Sequence, residues 1–170
     1  MSIVIDTPRL RLRDLLPGDL DAFLGFIASA RGQGHGWFRP APEAWRLFAT
    51  FLGHRSLRGF TFLAIEDRAS ARPIGTVGPW QPAGWPEPEI GWALWRDQDE
   101  GRGIAFEAAT AARDHVFRDL GWTTAVSYIA PDNARSIALA ERLGARRDPD
   151  AAVPRPGTLV YRHPRPEALQ

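Results

Sequence analysis

The chain has 170 residues, with 21 basic side chains against 20 acidic ones and a formal net charge of +1. All 21 cations are arginine, and neither lysine nor cysteine occurs; this excludes a Schiff-base lysine, a lysine-bearing phosphate loop, a cysteine nucleophile, a disulfide and a thiolate metal site. The length suits one domain spanning residues 1–170, a 44% hydrophobic composition can bury a core, and balanced charge lacks the clustered basic face that nucleic acid requires.

From the N-terminus, Leu10-Arg11-Leu12-Arg13 alternates as a half-buried strand does. Pro17-Gly18-Asp19 breaks it and opens a helix through Leu20, Phe23, Leu24 and Ile27. Arg31 to Pro42 reads as a Gly/Pro-rich loop, and Trp45, Phe48, Phe51 and Leu52 stand at helical spacing after it. Phe60 to Ile65 is a buried strand; Asp67 to Pro73 is a polar turn, and Ile74 to Gly78 its hairpin partner. Pro79 to Pro88, with four prolines and two tryptophans, is an irregular apolar connection. Glu89 to Trp95 returns to strand. Ile104, Ala105, Ala108, Ala109, Ala112, Val116 and Leu120 form one apolar stripe, a helix stopped at Gly121. A strand from Thr123 to Ala130, a short helix after Pro131-Asp132 and a final strand from Thr158 to Arg162 complete the order, the segment 146–170 being otherwise irregular. The expected fold is a single mixed α/β (α+β) domain. No N-terminal apolar region fits a signal peptide and no run approaches the ~20 residues of a membrane span, so a cytoplasmic protein without membrane or nucleic-acid partners is expected.

The chemistry points to the loop Asp97-Gln98-Asp99-Glu100-Gly101-Arg102-Gly103-Ile104-Ala105. Two glycines at a strand–helix junction let backbone approach an anion, and the first turn of the following helix offers unpaired N–H groups at the positive end of the macrodipole. Arg102 adds a guanidinium at the rim. Phe106 stands where a dinucleotide fingerprint would need its third glycine, so this is not that motif. His35, His54, His115 and His163 show no metal spacing, and no G-x-S-x-G elbow exists.

The ordered set Glu89-Ile90-Gly91-Trp92, Gly101-Arg102-Gly103-Ile104-Ala105-Phe106-Glu107-Ala108, Ser127-Tyr128-Ile129, Asn133-Ala134-Arg135-Ser136 and Ala140-Glu141-Arg142-Leu143-Gly144-Ala145 resembles the GNAT N-acetyltransferase superfamily. The opening Thr7-Pro8-Arg9-Leu10-Arg11-Leu12-Arg13 is similar to its RimJ/RimL-type branch. The resemblance implies a mixed, mostly antiparallel sheet flanked by helices, with a V-shaped opening between the fourth and fifth of the strands named above. It implies acetyl-CoA as co-substrate, no metal, and direct acetyl transfer to a primary amine of a small molecule or a protein N-terminus, by a monomer or homodimer. The pyrophosphate would lie on the amides of Gly101, Arg102, Gly103, Ile104 and Ala105. Backbone at Leu94 and Trp95 would pair with the pantetheine arm and stabilise the thioester oxygen, and Asn133 would contact the same arm.

Two departures stand out. Glu100, with Asp97 and Asp99, places acid beside the expected anion site. Ala140 replaces the tyrosine that many members use toward the leaving thiolate, which leaves Ser136 as the nearest hydroxyl, a candidate for both the cofactor and the catalytic set. These departures keep a second reading open, a non-catalytic acyl-CoA-binding domain. Glu89 is the expected proton acceptor for the amine, with Glu87 second; Glu107 matches a family glutamate and equally suits a helix N-terminus. Trp80, Trp85 and Glu87, with Phe38 and the loop Gly34-His35-Gly36, are the expected acceptor side. Of Ser127 and Tyr128, alternation turns one toward the opening and leaves open which.

Overall fold

A computed structural model describes residues 2–34 and 39–169; the expected acceptor-side positions His35, Gly36 and Phe38 lie outside them. The elements in chain order are β1 (Val4–Asp6), β2 (Leu10–Asp14), α1 (Leu20–Ala28), α2 (Ala30–Gly34), α3 (Ala41–Arg58), β3 (Leu63–Asp67), β4 (Arg72–Trp80), β5 (Glu89–Leu94), α4 (Ile104–Arg118), β6 (Val126–Ile129), α5 (Ala134–Arg142), β7 (Arg146–Arg147) and β8 (Leu159–Arg162). One sheet in the order β1-β2-β3-β4-β5-β6-β8-β7 holds them together. Every pairing is antiparallel except β5 with β6. The expected fold class is therefore the one observed; β1 adds a strand before the first one expected, so the splayed pair is β5 and β6.

Strand alternation sends side chains to two cores. Leu63 and Ile65 join Leu10, Leu12, Ile74 and Val77 under α4, whose buried face is Ile104, Ala108, Ala109 and Ala112. Ala64, between them, faces the opposite side, where Phe23 and Phe26 of α1 and Phe48 and Phe51 of α3 pack with Phe62, Trp80 and Trp95. The apolar stripe of α4 is built mostly of alanine, so the helix lies close on the sheet, and its first turn comes up against the end of β5. On β4, Gly75 is required by sterics: a Cβ there would stand 2.4 Å from the Ala93 carbonyl oxygen.

Several boundaries differ from expectation for identifiable reasons. Arg31 to Gly34 belong to a short helix rather than a loop. Pro79 and Trp80 continue β4 instead of starting the irregular connection. Pro79 faces Ile90 across β5 at a position that exchanges no backbone bonds, and on its other side the β3 ladder has already ended at Leu63–Val77, so its missing N–H costs nothing. β6 is shorter than Thr123 to Ala130, beginning only at Val126. A near-buried ion cluster closes the α1 end: Arg13 makes paired hydrogen bonds of 2.8 and 2.9 Å to Asp19 and one of 2.7 Å to Glu66.

Candidate functional site

The functional geometry starts from how β5 meets β6. The register contains a single pair, Glu89–Val126, with Val126 N–H donating to Pro88 C=O. Beyond it the backbone ladder gives way to a side chain, since Ser127 Oγ donates to Ile90 C=O at 2.6 Å. Ser127 in turn accepts from Nε2–H of the buried His163 at 2.8 Å. That tautomer leaves Nδ1 bare, and among the described residues it has no partner. Burial, helped by the charge of Arg113, pushes the His163 pKa down to about 3, so this imidazole is neutral.

On β5 the amide of Trp95 donates to Ile74 C=O at 2.8 Å. Alternation then turns the backbone of Trp92 and Leu94 away from β4 and into the splay. This corrects the expectation for Trp95, whose N–H is consumed within the sheet and whose indole is buried against Phe23 and Phe26. Leu94 does face the opening, but its C=O already accepts from Arg31 Nε at 2.7 Å.

A cleft of about 590 Å³ fills the splay, bounded by Leu94, Gly101, Gly103, Ile104, Ala105 and Asn133, with Arg31, Arg135 and Arg142 around it. Gly101 and Gly103 both adopt left-handed φ, at 69° and 74°, which explains two glycines one residue apart. The first helical bond of α4 runs from Glu107 N–H to Gly103 C=O, so the amides of Ile104, Ala105 and Phe106 have no intrahelical acceptor. Arg102, expected at the rim, is exposed but does not line the cleft; its guanidinium lies 3.5 Å from Asp99 and its C=O is held by Arg9. Glu107 also serves this loop as an anchor: it accepts from Thr7 Oγ at 2.6 Å and from the backbone and guanidinium of Arg9. Although burial works the other way, those donors hold its carboxyl below the ordinary range.

The acidic approach is neutralised by arginine. Arg31 pairs with Asp97 at 2.8 Å and with Glu100 at 2.6 Å, Arg135 reaches the other oxygen of Glu100, and Asp99 is buried against Arg96 at 2.7 Å. Partial burial raises the Glu100 pKa, but the two guanidiniums outweigh it and keep the carboxylate ionised. No net acid therefore faces the α4 amides from this loop.

A second cavity of about 320 Å³ adjoins the first, and Trp92 and Asn133 line both. Here Glu89 forms part of the wall. Its Oε2 accepts from Trp85 Nε1 at 2.8 Å. Desolvation pushes its pKa up to about 7, against the pull of the Trp85 and Tyr128 donors and the charge of Arg155. Ser136 also lies in this second cavity rather than the first; its Oγ accepts from Trp92 Nε1 at 3.2 Å. Asn133 caps α5, its Oδ1 accepting the Ser136 amide at 3.1 Å. Ser127 and Tyr128 both line this cavity, the Tyr128 ring set edge-on to Trp85.

Two of the expected acceptor-side residues are elsewhere. Trp80 is core, stacked on Phe62 and His54 with Phe51 edge-on, because it continues β4. Glu87 is tied to Arg162 by bonds of 2.7 and 2.9 Å, in a cluster with Asp148 and Thr124, and borders neither cavity. Sequence reasoning missed Trp92 and the arginines 31, 135, 142 and 155. Arg135 and Arg142 stood inside the quoted motifs, whereas Arg155, in the irregular C-terminal segment, carried no signal.

A model of the acetyltransferase (GNAT) domain matches residues 9–146. The chain belongs to the GNAT acetyltransferase family. An acetyltransferase from Agrobacterium tumefaciens str. C58 is 39% identical over 96% of each chain, with a TM-score of 0.90. A ribosomal-protein-serine acetyltransferase homologue from Vibrio cholerae is 21% identical over 95% of this chain and 98% of its own, with a TM-score of 0.74. RimL, a ribosomal L7/L12 α-N-protein acetyltransferase solved with coenzyme A, is 16% identical over 95% of this chain and 96% of its own, with a TM-score of 0.72. The last two share the fold. Family membership makes this an acetyl-CoA-dependent N-acetyltransferase. Among the described residues of the acetyltransferase, no three His, Asp or Glu side chains form a metal-holding group, and no helix is long and apolar enough to cross a membrane.

Proposed function

We propose that the acetyltransferase binds acetyl-CoA in the larger cleft and acetylates a primary amine, on a small molecule or a protein N-terminus, held in the smaller cavity. The observation that carries this reading is Glu89: a desolvated carboxylate with a pKa of about 7, in the wall of a cavity that meets the cleft at Trp92 and Asn133. The co-substrate supplies an acetyl group activated as a thioester.

The amides of Gly101 to Phe106, opened by the two left-handed glycines, receive the pyrophosphate. Leu94 N–H and the Asn133 side-chain amide, whose Oδ1 alone is engaged by Ser136, are the donors available to the pantetheine arm and thioester carbonyl. Glu89 takes one proton of the incoming ammonium, directly or through a water, to free the attacking nitrogen, and the second proton, shed as the nitrogen–carbon bond forms, leaves with the CoA thiolate. Ser136 accepts from Trp92 through one lone pair, which leaves its own hydroxyl proton to hydrogen-bond the sulfur as the carbon–sulfur bond breaks. No covalent enzyme intermediate is needed, consistent with a chain that has neither cysteine nor lysine. The same reading keeps the cytoplasmic location expected from the sequence.

Thiol release from acetyl-CoA across a panel of amines, alongside direct measurement of CoA binding, tests this. Glu89→Gln should bind CoA as the parent does and release thiol about 10²–10⁴-fold more slowly. Undiminished release would remove Glu89 from the mechanism, and CoA binding without release on any amine would favour the non-catalytic acyl-CoA-binding reading.

A further inference from the structure

The smaller cavity carries a charge pattern that says more about its ligand. Of the described residues lining it only two are ionisable as carboxylate or guanidinium: Glu89 on β5 and Arg155 from the segment between β7 and β8. The two are not an ion pair. Glu89 is bound by Trp85, and the Arg155 guanidinium makes no hydrogen bond or ion pair with any described residue. Most other arginines around the site are engaged: Arg31, Arg96, Arg102, Arg135 and Arg162 with carboxylates, Arg142 over the Phe106 ring. Arg155 is the exception, and it lies at an exposed edge of the cavity while Glu89 lies in its wall. Its charge nonetheless reaches Glu89, opposing the rise of that carboxyl's pKa. The walls of the same cavity are also aromatic, with Trp85 set edge-on to Tyr128, and with Phe62 among the lining residues.

We infer that the acceptor is a small zwitterionic amine with an apolar or aromatic body, its nitrogen at Glu89 and its anionic group, a carboxylate or a phosphate, on Arg155. This rests on the reading of the smaller cavity as the acceptor site. A lone guanidinium facing a pocket matches an anion that comes with the ligand. An ammonium at one end then leaves the aromatic walls to the body between. A cavity of about 320 Å³ lies at the small-ligand end of the range for such sites, near the lower bound of ~300 Å³, which favours a compact molecule over a polypeptide terminus.

The test separates binding from turnover. Calorimetry on the intact protein with CoA present compares phenylalanine, its aminophosphonate analogue, phenethylamine and a phenylalanyl peptide amide. At least one of the two anionic amines should bind about tenfold or more tighter than phenethylamine. Which of them does so identifies carboxylate or phosphate as the group read. Arg155→Ala should erase the difference without changing CoA affinity, and Arg155→Lys should restore part of it. Equal binding of all four, no binding of any, a peptide amide that matches the free acid, or a preference that survives Arg155→Ala would each overturn the proposal. Anionic amines that bind through Arg155 yet are not acetylated would keep the zwitterion as the ligand of this cavity and instead sink the reading of the cavity as the acceptor site.

Discussion

Glu89 makes a prediction in which activity and stability move in opposite directions. Its ordinary value would be 4.5 and the fold holds it at about 7, so between those values the native state keeps a proton that the unfolded chain releases. The stabilising contribution of the protonated form is complete below 4.5, falls as pH rises, and is gone above 7. At about 1.4 kcal/mol for each tenfold change in proton affinity, the ionised wild type is about 3 kcal/mol less stable than its protonated form would be. Glu89→Gln keeps the shape and can still accept from Trp85 through its amide oxygen, but it cannot ionise. The variant should match wild type near pH 4.5 and gain stability steadily to pH 7, reaching a melting temperature about 6–12 °C higher.

His163 supplies the opposite slope. Its pKa falls from 6.5 to about 3 on folding, so it stabilises fully above 6.5 and loses that contribution as pH falls. Between 4.5 and 6.5 the two trends offset each other, and the wild type should show a plateau there. Denaturant melts of both proteins from pH 4.5 to 8 isolate the Glu89 contribution as the difference between the curves. Over the same range the ratio of wild-type to variant kcat/KM, from which the titration of the amine itself cancels, should climb through pH 7 and then level. A stability difference that does not change with pH would show that Glu89 is not desolvated, and the argument for it as proton acceptor would fail with it.

Gly75→Ala should cost about 1–3 kcal/mol in urea unfolding, because the added Cβ meets the Ala93 carbonyl on a backbone that has nowhere to move; an unchanged midpoint would mean β4 and β5 are further apart than described. Arg13→Leu leaves the buried Asp19 and the half-buried Glu66 without their shared partner and should cost about 3–5 kcal/mol, read from the same melts, with no change in KM for either substrate. Trp92→Phe keeps a ring between the two cavities but removes the N–H that fixes Ser136. Its kcat should fall about 3–10-fold, and in a double-mutant cycle with Ser136→Ala the two losses should not add.

The segments whose structure follows from nearby residues were readable in advance. The alanine stripe of α4 and the glycine pair before it each depend on neighbours within a few positions. Side chains that meet across long separations were not. Asp97, Asp99 and Glu100 read as an unfavourable acidic approach because a main partner, Arg31, is 69 residues from Glu100 in the chain, in a stretch whose glycines and proline suggested only a loop. Trp80 read as a pocket residue because prolines normally end strands, and only the register shows that Pro79 occupies a position where no N–H is required. The role of Arg155 is set by how the C-terminal segment folds back beside β6, and no local pattern encodes that.

The opening between β5 and β6 has a cause of its own in the sequence. If the parallel ladder continued past Glu89–Val126, Trp92 and Leu94 would spend their backbone groups on β6, as Trp95 spends its N–H on β4. Ile90 C=O would then be the next acceptor for a strand amide, but the Ser127 hydroxyl takes that place, and His163 fixes the direction of the hydroxyl by donating to it. That carbonyl is satisfied by a side chain instead of a strand amide, so it is not left unpaired where the strands part, while Leu94 N–H stays open to the cleft. Trp92 occupies the resulting gap and holds Ser136 by its indole N–H. A single serine on β6 thus lets the sheet diverge, and the divergence opens the cleft at Leu94 and Asn133 and, meeting it at Trp92 and Asn133, the smaller cavity at Ser136.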